Sequence, residues 1–242
     1  DGDLRLNAGQ LDNRQGLMTA AGRTRITAGH IDNRNRGEIS SQQQLSVKAD
    51  QLDNSETGRL IGEASVSVQA DALDNQSSGV VATAGSLSVT ANRLDNRNQG
   101  LLKGAQGVSV TANSLDNQSG GLVLSDNQLR LEAQQIKNRA GVIDSRDKLT
   151  LVAEQLDNQL GEITGGGDVR IQGVELDNRE GGVIASSGDL NVEAGMFNNR
   201  HGNLVAGAEL VVKGDSLDNT DGHITSQDTI ELQHHELDNT RG

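Results

Sequence analysis

Aspartate is the residue type whose regular spacing in this chain could support chemistry. Ten copies recur at intervals of 20, 21 or 41 residues, and they are Asp12, Asp32, Asp53, Asp74, Asp95, Asp116, Asp157, Asp177, Asp218 and Asp238. Carboxylates brought into one row are ligands that Ca²⁺ prefers, so a calcium-binding row is one interpretation. The glycine-rich nonapeptide that marks calcium-binding β-rolls is missing, which disfavours that interpretation.

Arginine offers a simpler explanation of this Asp column. An Arg stands two residues beyond the Asp position in six repeats, as Arg14, Arg34, Arg97, Arg139, Arg179 and Arg200. Stacked carboxylates about 4.8 Å apart repel each other by roughly 1 kcal/mol in water, and a neighbouring guanidinium relieves that repulsion. We therefore predict a ladder of Asp–Arg pairs at one corner of the repeat.

Other residue types offer little for catalysis. Catalysis needs unlike groups that converge on one spot, whereas this sequence repeats like groups in columns. The chain has no Cys, and no Ser–His–Asp arrangement can be argued from the pattern. A metal site at His234 and His235 is a minor alternative. We assign no catalytic, cofactor-binding or metal-binding residue, and we expect the protein not to be an enzyme.

The element that must position these residues is a repeat built around the tripeptide Leu-Asp-Asn. Its Asn returns twelve times, as Asn13, Asn33, Asn54, Asn75, Asn96, Asn117, Asn138, Asn158, Asn178, Asn199, Asn219 and Asn239. A Gly follows each Asn by three or four residues, and the next Asn always comes 17 residues after that Gly. A short loop therefore absorbs every difference in length. A fixed period of this size indicates a solenoid, in which each repeat is one coil stacked on the next.

Alternation of apolar and polar residues within each repeat, as at residues 45–49 and 108–112, indicates half-buried strands. Small turn residues such as Gly166 and Gly167 separate two such strands, and the Leu of Leu-Asp-Asn marks a third. We predict three short strands and three corners per repeat. The fold is then an all-β parallel β-helix of about 11–12 coils with 20–21 residues each. Its inward Asn side chains would hydrogen-bond along the axis as a structural ladder.

A leucine-rich repeat is the alternative fold, because its period is similar and it also carries an Asn. Its unit needs a second apolar cluster on a helical or irregular side. The 17-residue block of this repeat instead shows two strand-like segments separated only by small turn residues. The pattern therefore favours the β-helix.

Composition is consistent with a thin core. The 242 residues include one Phe and no Trp, Tyr or Pro, so Leu, Val, Ile and Ala must fill the interior. The net charge of −13 argues against binding to nucleic acid. No apolar run approaches the roughly 18 residues of a membrane-spanning helix. The chain starts and stops in mid-repeat, so we expect residues 1–242 to be a single β-helix segment cut from a longer protein.

Some apolar residues fall at positions predicted to point outward. They form what we call the apolar stripe, which comprises Val80, Leu101, Leu122, Leu124 and Val142. Apolar side chains that face water on consecutive coils form a candidate contact surface. The other explanation is ordinary β propensity on a shaft face.

At these residues the chain resembles the haemagglutinin repeats of filamentous haemagglutinin-like exoproteins, which include adhesins and contact-dependent growth inhibition proteins. The matching signature is a strand ending in Ala, then Leu-Asp-Asn, a short loop and Gly, as at residues 87–100. Departures are few, such as Lys137 and Asn198 in place of Asp and Phe197 in place of Leu. The resemblance implies a right-handed parallel β-helix, secreted through the outer-membrane transporter of a two-partner system to the surface of a Gram-negative bacterium.

The resemblance also implies that this segment is a structural shaft. Distal modules would carry the toxin or bind a host or bacterial cell-surface receptor. The alternative function is a carbohydrate-active β-helix enzyme of the pectate-lyase-like class, which gathers its groups in a groove built by long loops. Finally, the cut ends expose unpaired strand edges, so we expect weak end-to-end self-association of the fragment.

Overall fold

The computed structural model describes residues 2–242, which form 23 β-strands of two lengths. The long strands are β1 Leu4–Asp12, β3 Thr24–Asp32, β5 Gln44–Asp53, β7 Ser65–Asp74, β9 Ser86–Asp95, β11 Gly107–Asp116, β13 Leu129–Lys137, β15 Leu149–Asp157, β17 Val169–Asp177, β19 Leu190–Asn198, β21 Leu210–Asp218 and β23 Ile230–Asp238. The short strands are β2 Leu17–Ala20, β4 Glu38–Ser41, β6 Arg59–Gly62, β8 Val80–Thr83, β10 Leu101–Gly104, β12 Leu122–Ser125, β14 Val142–Ser145, β16 Glu162–Gly165, β18 Val183–Ser186, β20 Asn203–Ala206 and β22 His223–Ser226. Within this range we find no helix long and apolar enough to cross a membrane.

Each coil contributes one long and one short strand, and every strand pairs in parallel with its equivalent in the next coil. The long strands form a 12-stranded sheet and the short strands an 11-stranded sheet, both in sequence order. Paired residues lie 20 or 21 positions apart, as Leu4 opposite Thr24 and Thr24 opposite Leu45. The predicted all-β parallel β-helix is confirmed, with about 11 coils where the sequence predicts about 11–12, and the leucine-rich alternative is wrong.

The prediction of three separate strands per coil is wrong, because the segment before each Asn continues the long strand. Strand β5 runs unbroken from Gln44 to Asp53. Its pairing with β7 omits Asp50, and both Asp50 and Gln51 are exposed between the buried Ala49 and Leu52. Two successive outward residues reset the alternation of the strand. The third corner is therefore a bulge-like bend within a strand.

The core consists of columns one residue wide that run along the axis. Ile39, Leu60 and Val81 of three successive short strands are all 0% exposed. Phe197 is 2% exposed and stands in the column otherwise held by Leu and Ile. Each buried side chain contacts its equivalents in the coils above and below, so the interior needs no large aromatic residue. This thin core is the one that the composition predicts.

The loop between Asn and Gly accommodates its variable residue through backbone conformation. Where the Gly follows the Asn by three residues, one residue between them adopts the left-handed region, as Leu160 does with φ of 56°. Where the Gly follows by four residues, two successive residues adopt it, as Asn98 does at 52° and Gln99 at 67°. The same rule holds in every such loop of residues 2–242. L-residues with branched or bulky side chains adopt this region at a cost, so the loops store backbone strain.

Candidate functional site

The twelve Asn side chains that follow the long strands form a continuous row, which we call the Asn column. Asn96, near its middle, is 0% exposed. Its Nδ2 donates to Oδ1 of Asn117 at 2.7 Å, and its Oδ1 accepts from Nδ2 of Asn75 at 2.8 Å. The same Nδ2 lies 3.0 Å from the carbonyl oxygens of Gly100 and Leu122. Amides that are engaged with one another and with the backbone fit a structural role, since they present no group to a substrate.

Hydrogen bonds within the Asn column all run in one direction. From Asn13 to Asn239, the Nδ2 of each coil donates to Oδ1 of the following coil at 2.6 to 2.8 Å. Aligned hydrogen bonds in a dry interior polarise one another and strengthen the chain. The column therefore links neighbouring coils at a point where the two sheets do not.

The Gly after each loop is required by its contact with the Asn column. A Cβ built on Gly100 would lie 2.5 Å from the carbonyl oxygen of Asn75 and 2.6 Å from Oδ1 of Asn96. Both distances are too short for a carbon–oxygen contact, and the first oxygen belongs to the backbone. Gly100 does not adopt a positive φ. Steric exclusion of a side chain therefore explains the Gly in this case.

The Asp–Arg pairs lie at the corner beside the Asn column. Arg97 donates from Nη2 to Oδ2 of Asp95 at 2.7 Å and from Nε to Oδ1 at 2.9 Å, and Arg93 adds a contact at 3.3 Å. Asp95 points outward along its strand but is only 2% exposed, because these side chains cover it. Burial raises the pKa of Asp95, and the hydrogen bonds from Arg97 outweigh it, so the pKa lies below its ordinary value.

Asp74 and Asp116 show the opposite pKa shift, and a Gln replaces the Arg in their loops. Burial raises the pKa of Asp74 and of Asp116 above the ordinary value, and their Gln neighbours compensate only in part. At the exposed N-terminal end of the Asp column, the side-chain hydrogen bond from Arg14 lowers the pKa of Asp12 to about 2. The pKa is thus lowered at Asp12 and Asp95, which accept hydrogen bonds from an Arg in the loop, and raised at Asp74 and Asp116, which have a Gln there. This corner is a set of pairs that differ from coil to coil.

Metal-binding chemistry finds little support. Across residues 2–242, no three His, Asp or Glu side chains gather as metal ligands. His234 lies opposite Gly214 in an inward column, and within the described chain its Nδ1 and Nε2 have no hydrogen-bond partner. His235 points outward, with Nδ1 3.5 Å from Oδ1 of Asp215. Because successive residues of a strand face opposite sides, the two rings do not converge on one ion.

A shallow groove of about 750 Å³ follows the axis along the second half of the chain. Gln135, Gln155 and Glu175 line one side, and Asp157 and Asp177 line the other. The side chains of the first row bind one another, since Gln155 accepts from Gln135 at 3.1 Å and donates to Glu175 at 3.1 Å. Sequence reasoning missed this groove. Both rows are visible in the repeat, but the depth between them depends on side chains from six coils.

The apolar stripe lies on the outer face of the 11-stranded sheet. Leu101 pairs in register with Val80 on one side and with Leu122 on the other, and Leu122 pairs in turn with Val142. Leu124 occupies the neighbouring outward position of the same strand as Leu122. All five side chains are half-buried. The structure therefore brings the stripe residues together in one patch.

The fold and these columns define the class of protein, which is a parallel β-solenoid with minimal loops. The family model described as haemagglutinin repeat matches residues 1–77, 61–134, 108–173 and 164–234. The chain therefore belongs to the haemagglutinin-repeat family, and the resemblance to filamentous haemagglutinin-like segments is confirmed. Neither a curated protein nor a solved structure matches the chain.

Proposed function

We propose that this segment is a shaft of a large secreted bacterial surface filament, an adhesin or a contact-dependent growth inhibition exoprotein. The shaft holds distal binding or toxin modules away from the cell. The observation that carries the proposal is the unbroken parallel pairing of all 23 strands in sequence order. In this architecture reach grows in proportion to the number of coils, because each coil adds one strand spacing to the axis.

The contacts between coils support a stiff rod. Two sheets and the buried Asn column join each coil to the next. To bend the rod, the strands on one side would have to separate and lose in-register backbone hydrogen bonds. With about 4.8 Å per coil, the segment extends roughly 55 Å. Loops of three or four residues leave little surface outside the shaft for a separate binding module.

Export through an outer-membrane transporter and display at the surface of a Gram-negative bacterium belong to the same proposal. Membership of the haemagglutinin-repeat family supports them, since that family is one of secreted or surface bacterial proteins. The receptor would be bound by other parts of the parent protein.

Deletion of whole coils from the parent protein tests the shaft function. Removal of residues 80–121 joins Gly79 to Leu122 and takes out two complete coils, so the remaining strands keep their register. We expect normal labelling of intact cells by antibodies against this segment, with adhesion or inhibition retained at a shorter reach. Deletion of residues 80–110 is the matched control, because it removes one and a half coils and should abolish folding and display.

Two results would refute the proposal. The first is loss of adhesion or inhibition after deletion of residues 80–121 while display stays normal, since this would place an essential site within the removed coils. The second is unchanged surface labelling in cells that lack the outer-membrane transporter. That result would remove the export step.

A further inference from the structure

An apolar row bounded by opposite charges crosses the outer face of the 11-stranded sheet. Successive coils place the following residues in register: Arg59, Val80, Leu101, Leu122, Val142 and Glu162. The four apolar side chains are half-buried, whereas Arg59 and Glu162 are exposed. The row thus has a cation at its N-terminal end, an anion at its C-terminal end and a continuous apolar centre.

We propose that this row binds the same row of a second copy of the chain, with the two rods antiparallel. A two-fold axis that runs parallel to the short strands, between Leu101 and Leu122, lays the row against itself in reverse order. Leu101 then faces Leu122 of the second copy, and Val80 faces its Val142. At both ends of the contact, Arg59 of one copy faces Glu162 of the other.

Charge complementarity selects the second copy as the occupant and fixes its direction. A parallel arrangement would set Arg59 against Arg59 and Glu162 against Glu162, and like charges directly opposite are destabilising. Within residues 2–242, Arg59 forms one exposed salt bridge, from Nε to Oε2 of Glu38 at 3.3 Å, and Glu162 forms none within 4.0 Å. Both side chains therefore have hydrogen-bonding capacity left for a partner.

The neighbouring outward row and the overall charge favour the same direction. In the antiparallel pair, Lys103 faces Leu124 of the second copy, whose surface the methylene stem of Lys103 can cover. Its ammonium then lies within one coil of the second copy's Asp144. Residues 1–121 carry 11 basic and 13 acidic side chains, whereas residues 122–242 carry 10 and 21. An antiparallel pair keeps the two acidic halves apart.

The size of the face limits the strength of the contact. Six coils at about 4.8 Å and a strand width of about 13 Å give roughly 400 Å² per copy. That area is about half of what stable interfaces bury per partner. We therefore expect a weak dimer, with a Kd on the order of 10 to 1,000 μM.

Sedimentation equilibrium of the chain between about 5 μM and 1 mM tests the proposal, with circular dichroism to verify that each variant keeps its β structure. Leu122→Lys should weaken dimerisation at least tenfold, because it places a charge in the apolar centre of both copies. Arg59→Glu and Glu162→Arg should each weaken it roughly tenfold, since each puts like charges at both ends of the contact. The control is Glu154→Arg, an identical charge change at an exposed residue of the other sheet, which should leave the Kd within about twofold.

A mixture of the two charge variants gives the decisive result. In a mixed pair, Glu at position 59 faces Arg at position 162, and the other end keeps its native pair, so an equimolar mixture should recover dimerisation. The chain has no Cys, so Val80→Cys and Val142→Cys report the orientation. The mixed pair should form a disulfide, and neither variant should cross-link with itself.

Four outcomes would overturn the proposal. They are a strict monomer at 1 mM, no recovery in the mixture, self-cross-linking of Val80→Cys, and association that Leu122→Lys and the charge variants leave unchanged. The last outcome would instead place the contact at the ends of the rods.

Discussion

Removal of one amide from the middle of the Asn column is the sharpest test of its role. Asn96→Ala deletes the donor to Oδ1 of Asn117 and the acceptor for Nδ2 of Asn75, both in a site that is 0% exposed. Nδ2 of Asn75 keeps two carbonyl partners, and the carbonyl oxygen of Gly100 keeps the backbone N–H of Leu122 at 2.8 Å. Among residues 2–242, Oδ1 of Asn117 has no other donor, so it is left buried and unpaired.

The expected loss of stability in Asn96→Ala follows from these lost hydrogen bonds. One buried acceptor without a partner costs about 1–3 kcal/mol, and the loss of further hydrogen bonds and the small cavity bring additional cost. We therefore expect Asn96→Ala to lower the free energy of unfolding by about 2–3 kcal/mol. Asn96→Asp should be worse at pH 7 by at least about 1 kcal/mol, since it directs a buried carboxylate at three oxygens. Acid should relieve part of that extra loss, because a protonated Asp can donate one hydrogen bond.

Urea unfolding followed by circular dichroism measures these differences, with the shift in midpoint compared at an unchanged m value. Ser88→Ala, on the exposed face of the long-strand sheet, is the control and should change stability by less than about 0.5 kcal/mol. Similar small losses at Asn96 and Ser88 would refute the structural role of the column. A smaller loss for Asn96→Asp than for Asn96→Ala at pH 7 would refute the assignment of Nδ2 of Asn96 as a donor that faces three oxygens.

Three further substitutions test the loop and the corner beside the column. Gly100→Ala should cost about 1–3 kcal/mol in urea unfolding because its Cβ meets backbone oxygen, whereas Gly9→Ala, with nothing within 4 Å, should be nearly neutral. Leu160→Asn should raise the free energy of unfolding by up to about 1 kcal/mol, since Asn tolerates the positive φ that Leu160 adopts; an unchanged free energy of unfolding would mean that the loop is unstrained. Arg97→Gln should move the pKa of Asp95 from below to above its ordinary value of 3.8, as measured by carboxyl NMR titration. In the unsubstituted chain, Asp95 adds stability above pH 3.8 that is lost as the pH falls through its folded pKa. In Arg97→Gln, the contribution of Asp95 is present at low pH and lost as the pH rises. The loss of stability caused by Arg97→Gln should therefore be larger at pH 7 than at pH 4.

The fold was predictable because every repeat carries the same pattern of apolar, polar and Gly positions. Twelve copies of the tripeptide, nine of them exactly Leu-Asp-Asn, lock the register of the long strands, and one-residue differences are confined to the loop before Gly. Inward positions such as Leu60 and Val81 could therefore be read directly from the period. Their burial at 0% is the consequence of stacking identical positions.

Features that depend on a break in the pattern, or on side chains from several coils, were not predictable. The repeat pattern predicts a third corner between two separate strands, whereas the bend at Asp50 and Gln51 lies within the unbroken strand β5. The burial of Asp95 depends on the conformations of the Arg93 and Arg97 side chains that cover it. The groove beside Gln155 also depends on side-chain conformation, since each of its walls is built from residues of several successive coils.

The one-way hydrogen bonding of the Asn column makes the two faces of any coil chemically different. Before its C-terminal neighbour has folded, a coil presents a free amide N–H on its C-terminal face, as Asn96 would without Asn117. Its N-terminal face presents only the amide oxygen. A chain that folds coil by coil from its N-terminus therefore meets a donor at each growth step, and the incoming Asn only has to turn its oxygen toward it. Growth from the other end would meet an acceptor and would need the incoming amide to be oriented the opposite way. The column thus gives the solenoid a polarity that each completed coil passes on to the next as a template.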